Sequence, residues 1–160
     1  MSAPNASHPR TGSSGEQPVR IAIVNGPNLN LLGRREPGIY GSETFEAFLE
    51  SLRRKYPAVD FTYFQSNVEG ELINALQRAG DSSDGIILNP GGYTHTSVAI
   101  GDTLAALSVP VVEVHISNVQ AREDFRRISH VSAKAAGTIA GLGLKGYELA
   151  AEWLISHQTG

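Results

Sequence analysis

Short runs of β-branched and apolar residues alternate with longer amphipathic stretches from Val19 onward. This alternation is typical of a parallel β-sheet whose strands are joined by crossover helices. Five strand–helix units are predicted, with strands at residues 19–24, 59–65, 85–88, 109–114 and 137–141. Right-handed crossovers place helices on both faces of such a sheet, and the commonest five-stranded order is the flavodoxin-like 2-1-3-4-5. We therefore expect an α/β three-layer sandwich built on a five-stranded parallel sheet.

Apolar residues at helical spacing fill the segments between these strands. The first helix is predicted to run from Phe45 to Tyr56. Residues 66–69 have the S-x-x-E form of a capping box, which predicts a second helix that runs to Ala79. A third helix is predicted over residues 96–107, and a last helix buries a stripe formed by Leu144, Tyr147, Ala151 and Leu154.

The composition excludes several classes of function. The chain has 160 residues, of which 41% are hydrophobic, so one domain can bury a core without disulfides or metals. The absence of cysteine excludes thiol nucleophiles, iron–sulfur clusters and cysteine-based zinc sites. A formal net charge of −3 without a basic stripe gives no footprint for nucleic acid. The longest apolar stretches fall far short of the ~20 residues that span a bilayer, so we expect a cytoplasmic protein without a membrane partner.

The first 18 residues differ from the rest of the chain. They are rich in Ser, Pro, Gly and Asn and lack the apolar centre of a signal peptide. We expect residues 1–18 to be a disordered N-terminal extension and residues 19–160 to form a single domain.

Strand four carries a carboxylate and an imidazole at its carboxyl end, where open parallel sheets bind their ligands. Glu113 and His115 are two residues apart, so both side chains project to the same face of the sheet. A carboxylate within an apolar strand needs a partner, and Glu113 would hold His115 in one tautomer and raise its basicity. Such a histidine suits general acid catalysis, although a purely structural pair has the same spacing.

The loop after strand one, residues 26–41, is longer than the ~2 to 6 residues usual for such connections and is interpreted as a lid. Tyr40 follows Arg34 and Arg35 closely in this loop. A nearby guanidinium favours the phenolate, so a tyrosine that ordinarily titrates near ~10 can act as a base at neutral pH. An exposed tyrosine beside solvated arginines is the alternative.

Two further loops carry polar side chains at the same end of the sheet. Asn89 and His95 follow strand three and are placed to hold hydroxyl groups. A helix cap formed by Thr94 or Thr96, with a solvated histidine, is an equal alternative. Ser117 follows His115 directly, and Arg126 offers a charge-assisted contact to a carboxylate unless it belongs to a solvated arginine face. The turn after Gly141 is a fourth candidate loop.

Taken together, these loops resemble the type II 3-dehydroquinate dehydratases, which convert 3-dehydroquinate to 3-dehydroshikimate in the shikimate pathway of aromatic amino acid biosynthesis. The resemblance covers Ile21 to about Leu154. It is carried by five ordered motifs, at residues 25–33 (NGPNLNLLG), 35–41 (REPGIYG), 65–72 (QSNVEGEL), 89–97 (NPGGYTHTS) and 113–126 (EVHISNVQAREDFR).

The resemblance implies an anti elimination of water through an enolate. Tyr40 would remove a proton from the carbon beside the substrate ketone, with Arg35 lowering the pKa of the tyrosine. Asn28 would stabilise the enolate through an ordered water. His115, oriented by Glu113, would protonate the departing hydroxyl group.

The resemblance also implies how the substrate is held and how the protein assembles. Substrate hydroxyls would be bound by Asn89, His95 and Arg126, and the substrate carboxylate by Ile116 and Ser117. Asp102 would reach in from a neighbouring subunit of a dodecamer built from trimers. Gly101 departs from the arginine that many relatives carry at this position, which would weaken a subunit contact without touching the chemistry. No cofactor and no metal are implied, because the adjacent carbonyl already acidifies the proton that is removed.

A flavin- or nucleotide-binding module is the alternative from another class, since this fold hosts many functions. Its phosphate loop would follow strand one, but that loop has Pro27 and the bulky Leu29, Leu31 and Leu32 in place of a compact run of Gly and hydroxyl residues. An inactive family member is a third reading. Loss of Tyr40, Arg35 or His115 would signal it, and all three are present.

Overall fold

The computed structural model describes residues 15, 17–34, 38 and 42–160. Its centre is a five-stranded parallel sheet in the order β2-β1-β3-β4-β5. The strands are β1 (Val19–Asn25), β2 (Val59–Gln65), β3 (Gly85–Asn89), β4 (Val111–His115) and β5 (Gly137–Ala140). The predicted strand order and all five predicted strands are confirmed, with boundaries that differ by at most two residues.

Four α-helices among the described residues cover the sheet, two on each face. They are α1 (Phe45–Lys55), α2 (Glu69–Ser82), α3 (Val98–Ala106) and α4 (Lys145–Thr159). The buried side chains of α1 and α4 pack with one face of the central strands, and those of α2 and α3 pack with the other face. Ile21, Ile86 and Leu72 are fully buried in these two cores, and burial of each such side chain stabilises the fold by about 1.5–3 kcal/mol. The three-layer α/β sandwich is therefore confirmed.

The register of the strands collects polar residues at one edge of the sheet. Asn25 pairs with Gln65 on one side and with Asn89 on the other, at the carboxyl ends of β1, β2 and β3. His115 is the last residue of β4 and pairs with Ala140 of β5. Asn25 and Asn89 are buried, so this edge has a polar floor beneath its loops.

The predicted capping box at residues 66–69 is wrong. The Ser66 hydroxyl accepts a hydrogen bond from the Val68 amide (3.0 Å) and donates to the carboxylate of Glu71, not Glu69. Val68 is the N-cap of α2 and makes no side-chain capping bond. The Ser66 hydroxyl thus closes a short turn ahead of the helix, and α2 continues to Ser82, three residues beyond the predicted end.

The start of the third helix also differs from the prediction. Residues Gly91–His95 form a 3₁₀ helix, and α3 begins only at Val98. Its N-cap is Ser97, whose hydroxyl accepts from the Ile100 amide at 2.9 Å. Capping by Thr94 or Thr96 is therefore wrong, because Thr94 is buried and its hydroxyl donates to the carboxylate of Glu113.

Two predictions concern segments that fall largely outside the described residues. Residues 1–14 and 16 of the predicted N-terminal extension belong to this group, as do residues 35–37 and 39–41 of the predicted lid. The first part of that loop is described, with a short 3₁₀ helix at Leu29–Leu31. In the described part of the chain, none of the helices combines the length and the apolar character that crossing a membrane requires.

Candidate active site

A cavity of about 180 Å³ lies where the loops after β1, β3 and β4 meet, at the carboxyl edge of the sheet. Seven of the predicted site residues line it: Asn28, Asn89, His95, His115, Ile116, Ser117 and Arg126. Glu113 lies behind His115 and borders a second cavity of about 380 Å³. The structure thus brings together three of the four loops singled out in the sequence.

The loops after β1 and β3 are held against each other by their backbones. The Gly26 amide donates to the Asn89 carbonyl at 2.7 Å. A Cβ atom at Gly26 would lie 2.6 Å from the Pro90 carbonyl oxygen, so this approach requires glycine. Asn28 adopts a left-handed conformation with φ 70°, and its amide donates to Asn67 Oδ1 at 3.0 Å. These contacts fix Asn28 in the wall of the cavity.

Glu113 and His115 form a buried pair at the end of β4. His115 Nε2 lies 2.6 Å from Glu113 Oε1, and the two side chains are 7% and 0% exposed. Burial pushes the pKa of Glu113 upward, but hydrogen bonds and charge from His115, with hydroxyl donors from Ser132 and Thr94, hold that pKa below its usual range. An ionised carboxylate only accepts, so Nε2 carries the shared proton and Nδ1 is the ring nitrogen left for a ligand.

Three hydroxyl groups around Glu113 were missed by sequence reasoning. Ser132 donates to Oε2 at 2.6 Å, Thr138 donates to the same oxygen at 3.3 Å, and Thr94 donates to Oε1. Burial of a carboxylate predicts that donors exist, but these come from three separate segments with no common motif. Thr94 alone lay within a quoted motif, where it was interpreted as a helix cap.

Asn89 has most of its hydrogen-bonding capacity engaged inside the protein. Its Oδ1 accepts from the Gly91 amide at 3.1 Å, and its Nδ2 donates to the Tyr147 hydroxyl at 2.8 Å. The Tyr147 hydroxyl in turn donates to Asn25 Oδ1 at 2.8 Å. Burial raises the pKa of Tyr147, which keeps it a neutral donor. One N–H of Asn89 is left for a ligand, and the tyrosine fixes its direction.

His95 and Arg126 meet around one aromatic ring. His95 Nδ1 lies 2.7 Å from the Ile128 carbonyl oxygen, and its ring meets the Phe125 ring edge-on at 6.0 Å. The Arg126 guanidinium lies 4.9 Å from the same ring, and its Nε donates to Glu123 at 2.7 Å. Arg126 therefore lines the cavity instead of belonging to a solvated face, whereas Arg127 is 60% exposed beside Asp124.

Ser117 lies next to a second arginine that sequence reasoning had left aside. Arg122 Nη1 donates to the Ser117 hydroxyl oxygen at 3.4 Å, and both residues line the cavity. Because the Ser117 oxygen accepts from Arg122, its own proton is available to a negatively charged ligand. The sequence signal was present, since Arg122 stands five residues after Ser117.

Three predicted site residues remain: Asp102, Tyr40 and Arg35. Asp102 is exposed on α3 and does not line it. Tyr40 and Arg35 lie outside the described residues. Gly101, next to Asp102, is buried, and a Cβ atom there would lie 2.3 Å from the His130 carbonyl oxygen. Within the described residues, no group of three or more His, Asp or Glu side chains is placed to hold a metal ion.

Comparison with known proteins shows which family the chain belongs to. The model of the class II dehydroquinases matches residues 19–155. The chain belongs to the class II dehydroquinase family. This membership gives no support to the flavin- or nucleotide-binding alternative.

Individual dehydroquinases match the chain over most of its length. A 3-dehydroquinate dehydratase of Exiguobacterium sp. (strain ATCC BAA-1283 / AT1b) is 53% identical over 140 residues, which is 87% of this chain and 96% of the relative. That of Actinobacillus pleuropneumoniae serotype 5b (strain L20) is 51% identical over 139 residues, 86% of this chain and 90% of the relative. The crystal structure of the type II dehydroquinase from Butyrivibrio crossotus superposes with a TM-score of 0.82 at 45% identity, covering 86% of this chain and 97% of that one.

Proposed function

We propose that this dehydroquinase removes water from 3-dehydroquinate by an anti elimination through an enolate, giving 3-dehydroshikimate. The observation that carries the proposal is the buried Glu113–His115 pair, which presents one imidazole nitrogen to a cavity at the carboxyl edge of the sheet. A fixed imidazole backed by a carboxylate is suited to give a proton to a leaving hydroxyl group. Membership of the class II dehydroquinase family supports the choice of substrate.

The first step breaks a carbon–hydrogen bond beside the substrate ketone. Tyr40 takes this proton as the general base, and the Arg35 guanidinium favours the phenolate form. The electron pair moves onto the ketone oxygen and forms an enolate. Asn28, held in the cavity wall by its left-handed backbone, stabilises the enolate through a water molecule.

The second step breaks a carbon–oxygen bond. His115 gives a proton to the departing hydroxyl, which leaves as water while the enolate electrons form the carbon–carbon double bond. Glu113 keeps the opposite ring nitrogen protonated throughout and stabilises the imidazolium before transfer. The ketone acidifies the proton removed in the first step, so the residues named here suffice for both steps.

The polar lining of the cavity matches the groups on a hydroxylated cyclic carboxylate. The free N–H of Asn89, the Nε2 of His95 and the Arg126 guanidinium bind substrate hydroxyls. The backbone at Ile116 and the Ser117 hydroxyl bind the carboxylate, and the donation from Arg122 leaves the serine proton directed to the ligand.

We further propose that the protein is cytoplasmic and forms dodecamers built from trimers. Asp102 then contributes to the site of a neighbouring subunit, which fits its exposed position outside the cavity of its own chain. Sedimentation analysis tests this assembly directly, and a purely monomeric protein would contradict it.

The activity test mixes purified protein with 3-dehydroquinate in the presence of a chelator and follows the ultraviolet absorbance of the conjugated enone. We expect the absorbance to rise with wild-type protein and not with His115→Ala. The same variant should still exchange the proton beside the ketone with solvent deuterium, because Tyr40 is intact. A folded, assembled wild type that gives no enone would contradict the proposed function.

A further inference from the structure

Glu113 accepts more hydrogen bonds than its partnership with His115 requires. Oε1 accepts from His115 and Thr94, and Oε2 accepts from Ser132 and Thr138. The carboxylate is fully buried, so protein groups must supply every interaction that water would otherwise make. Three of these four donors are neutral hydroxyls. The proton of a hydroxyl can rotate about its C–O bond, so its direction is set by the neighbouring oxygen that accepts it.

The direction of donation can be traced back from the carboxylate. Thr94 donates its only proton to Glu113, so its contact of 2.8 Å with the Ser129 hydroxyl must be one in which Ser129 donates. Ser129 accepts in turn from the amides of Val131 (3.1 Å) and Ser132 (2.9 Å). Backbone amides therefore orient Ser129, Ser129 orients Thr94, and Thr94 points its proton at Glu113.

We propose that Thr94 and Ser132 are positioning residues that keep Glu113 an acceptor-only partner of His115, with Ser129 setting the direction of the Thr94 hydroxyl. This proposal rests on the proposed function, since it assigns the two hydroxyls to the acid half of the dehydration. They act through Glu113, because the carboxylate lies between each hydroxyl and the imidazole. The hydroxyls stabilise the ionised form of Glu113, so the carboxylate keeps the negative charge that supports the protonated His115.

Other charged groups near Glu113 belong to neighbouring segments. The cavity that Glu113 borders is also lined by His115 on the same strand, by His95 after β3, and by Arg126 and Arg127 after β4. Among the described contacts, His95 hydrogen-bonds to Ile128, and none of its hydrogen bonds reaches Glu113. Arg126 pairs with Glu123 and Arg127 with Asp124, again not with Glu113. Removal of a hydroxyl from Thr94 or Ser132 therefore takes a hydrogen bond from the Glu113 carboxylate and leaves these contacts of His95, Arg126 and Arg127 intact.

The test is the pH dependence of kcat in Thr94→Val, which keeps the shape of the side chain, and in Ser132→Ala. Loss of a hydrogen bond to a charged group should lower kcat about tenfold while KM stays unchanged. Loss of a donor raises the pKa of Glu113 towards its usual range, so the acid limb of the kcat profile should move to higher pH. Thr94→Ser, which keeps the hydroxyl, should restore both values, and Thr138→Val, which removes only the longer contact, should change them less.

A second measurement is independent of activity. The melting temperature of Thr94→Val should fall further below wild type at pH 7 than at acidic pH, because the lost donor served the ionised carboxylate. Ser156→Ala, a remote serine whose hydroxyl donates to the Trp153 carbonyl, is the control and should show no such dependence. A melting-temperature loss that is the same at every pH, with an unmoved acid limb of the kcat profile, would overturn the proposal. A wild type without dehydratase activity would contradict the proposed function, while the stability comparison would still decide the role of the hydroxyls.

Discussion

Glu113→Gln isolates the charge of the buried carboxylate from its shape. Glutamine keeps an oxygen that accepts from His115 Nε2, and its amide nitrogen meets the hydroxyls of Ser132 and Thr138, which can rotate to accept. What disappears is a negative charge whose oxygen lies 2.6 Å from the imidazole in a buried site. A hydrogen bond to a charged group contributes about 1.5–3 kcal/mol, so loss of this charge removes about that much of the support for the imidazolium.

We therefore expect Glu113→Gln to lower kcat at neutral pH by about tenfold to a hundredfold, because the imidazolium that gives its proton to the leaving group loses a charge that stabilises it. KM should change little, since Glu113 does not line the cavity proposed to hold the substrate. The assay combines the enone absorbance, which reports dehydration, with deuterium exchange at the carbon beside the ketone, which reports enolate formation. Exchange should survive better than dehydration.

The matched control is Glu148→Gln on α4. Glu148 is also largely buried, but its carboxylate pairs with Lys55 and Lys145 away from the cavity. This variant should lose stability and keep its kcat. If Glu113→Gln retains kcat within about twofold of wild type, or loses exchange and dehydration equally, the reasoning that Glu113 acts through a protonated His115 is wrong.

Four further outcomes are expected. Tyr40→Phe should lower kcat by orders of magnitude with KM nearly unchanged, and steady-state kinetics that show retained turnover would point to another base. Asp102→Asn should weaken substrate binding in assembled protein only, and equal affinities of wild type and variant in the assembled state would argue against a cross-subunit contact. Gly101→Ala should lower the free energy of unfolding in urea by about 1–3 kcal/mol, because its Cβ atom would lie 2.3 Å from the His130 carbonyl oxygen. The control is Gly70→Ala, whose Cβ atom would meet nothing within 4 Å and should not destabilise the fold. Wild-type stability should fall in acid as the pH drops through the folded-state pKa of Glu113. A pKa that folding lowers contributes its full stability only above the pKa of the same group in the unfolded chain. Glu113→Gln should flatten that part of the profile of stability against pH.

Local patterns predicted those parts of the protein that depend on one segment at a time. The alternation of apolar runs gave the strands, and the crossover rules gave their order, because both depend on backbone periodicity and handedness. The contact between Glu113 and His115 was also predictable, since side chains two residues apart on a strand always share a face. The positions of Tyr40 and Arg35 stay predictions.

The environment of the Glu113–His115 pair was not predictable in the same way. Thr94, Ser132 and Thr138 lie between 19 and 25 residues from Glu113, two of them in separate 3₁₀ helices and the third on β5. The capping predictions failed for a related reason. A serine or threonine near a helix start has several available partners, and the tertiary structure decided among them: Ser66 bonded to Glu71 and Thr94 to Glu113.

Tyr147 makes completion of the site depend on the helix that is synthesised last. Its hydroxyl lies between Asn25 and Asn89, which are 122 and 58 residues away in sequence. While a ribosome is still adding the last helix, the two asparagines have been synthesised but the Tyr147 hydroxyl that joins their amides is still missing. The floor of the site is therefore finished only when α4 docks, so an emerging chain that already contains every proposed substrate contact should still bind substrate poorly.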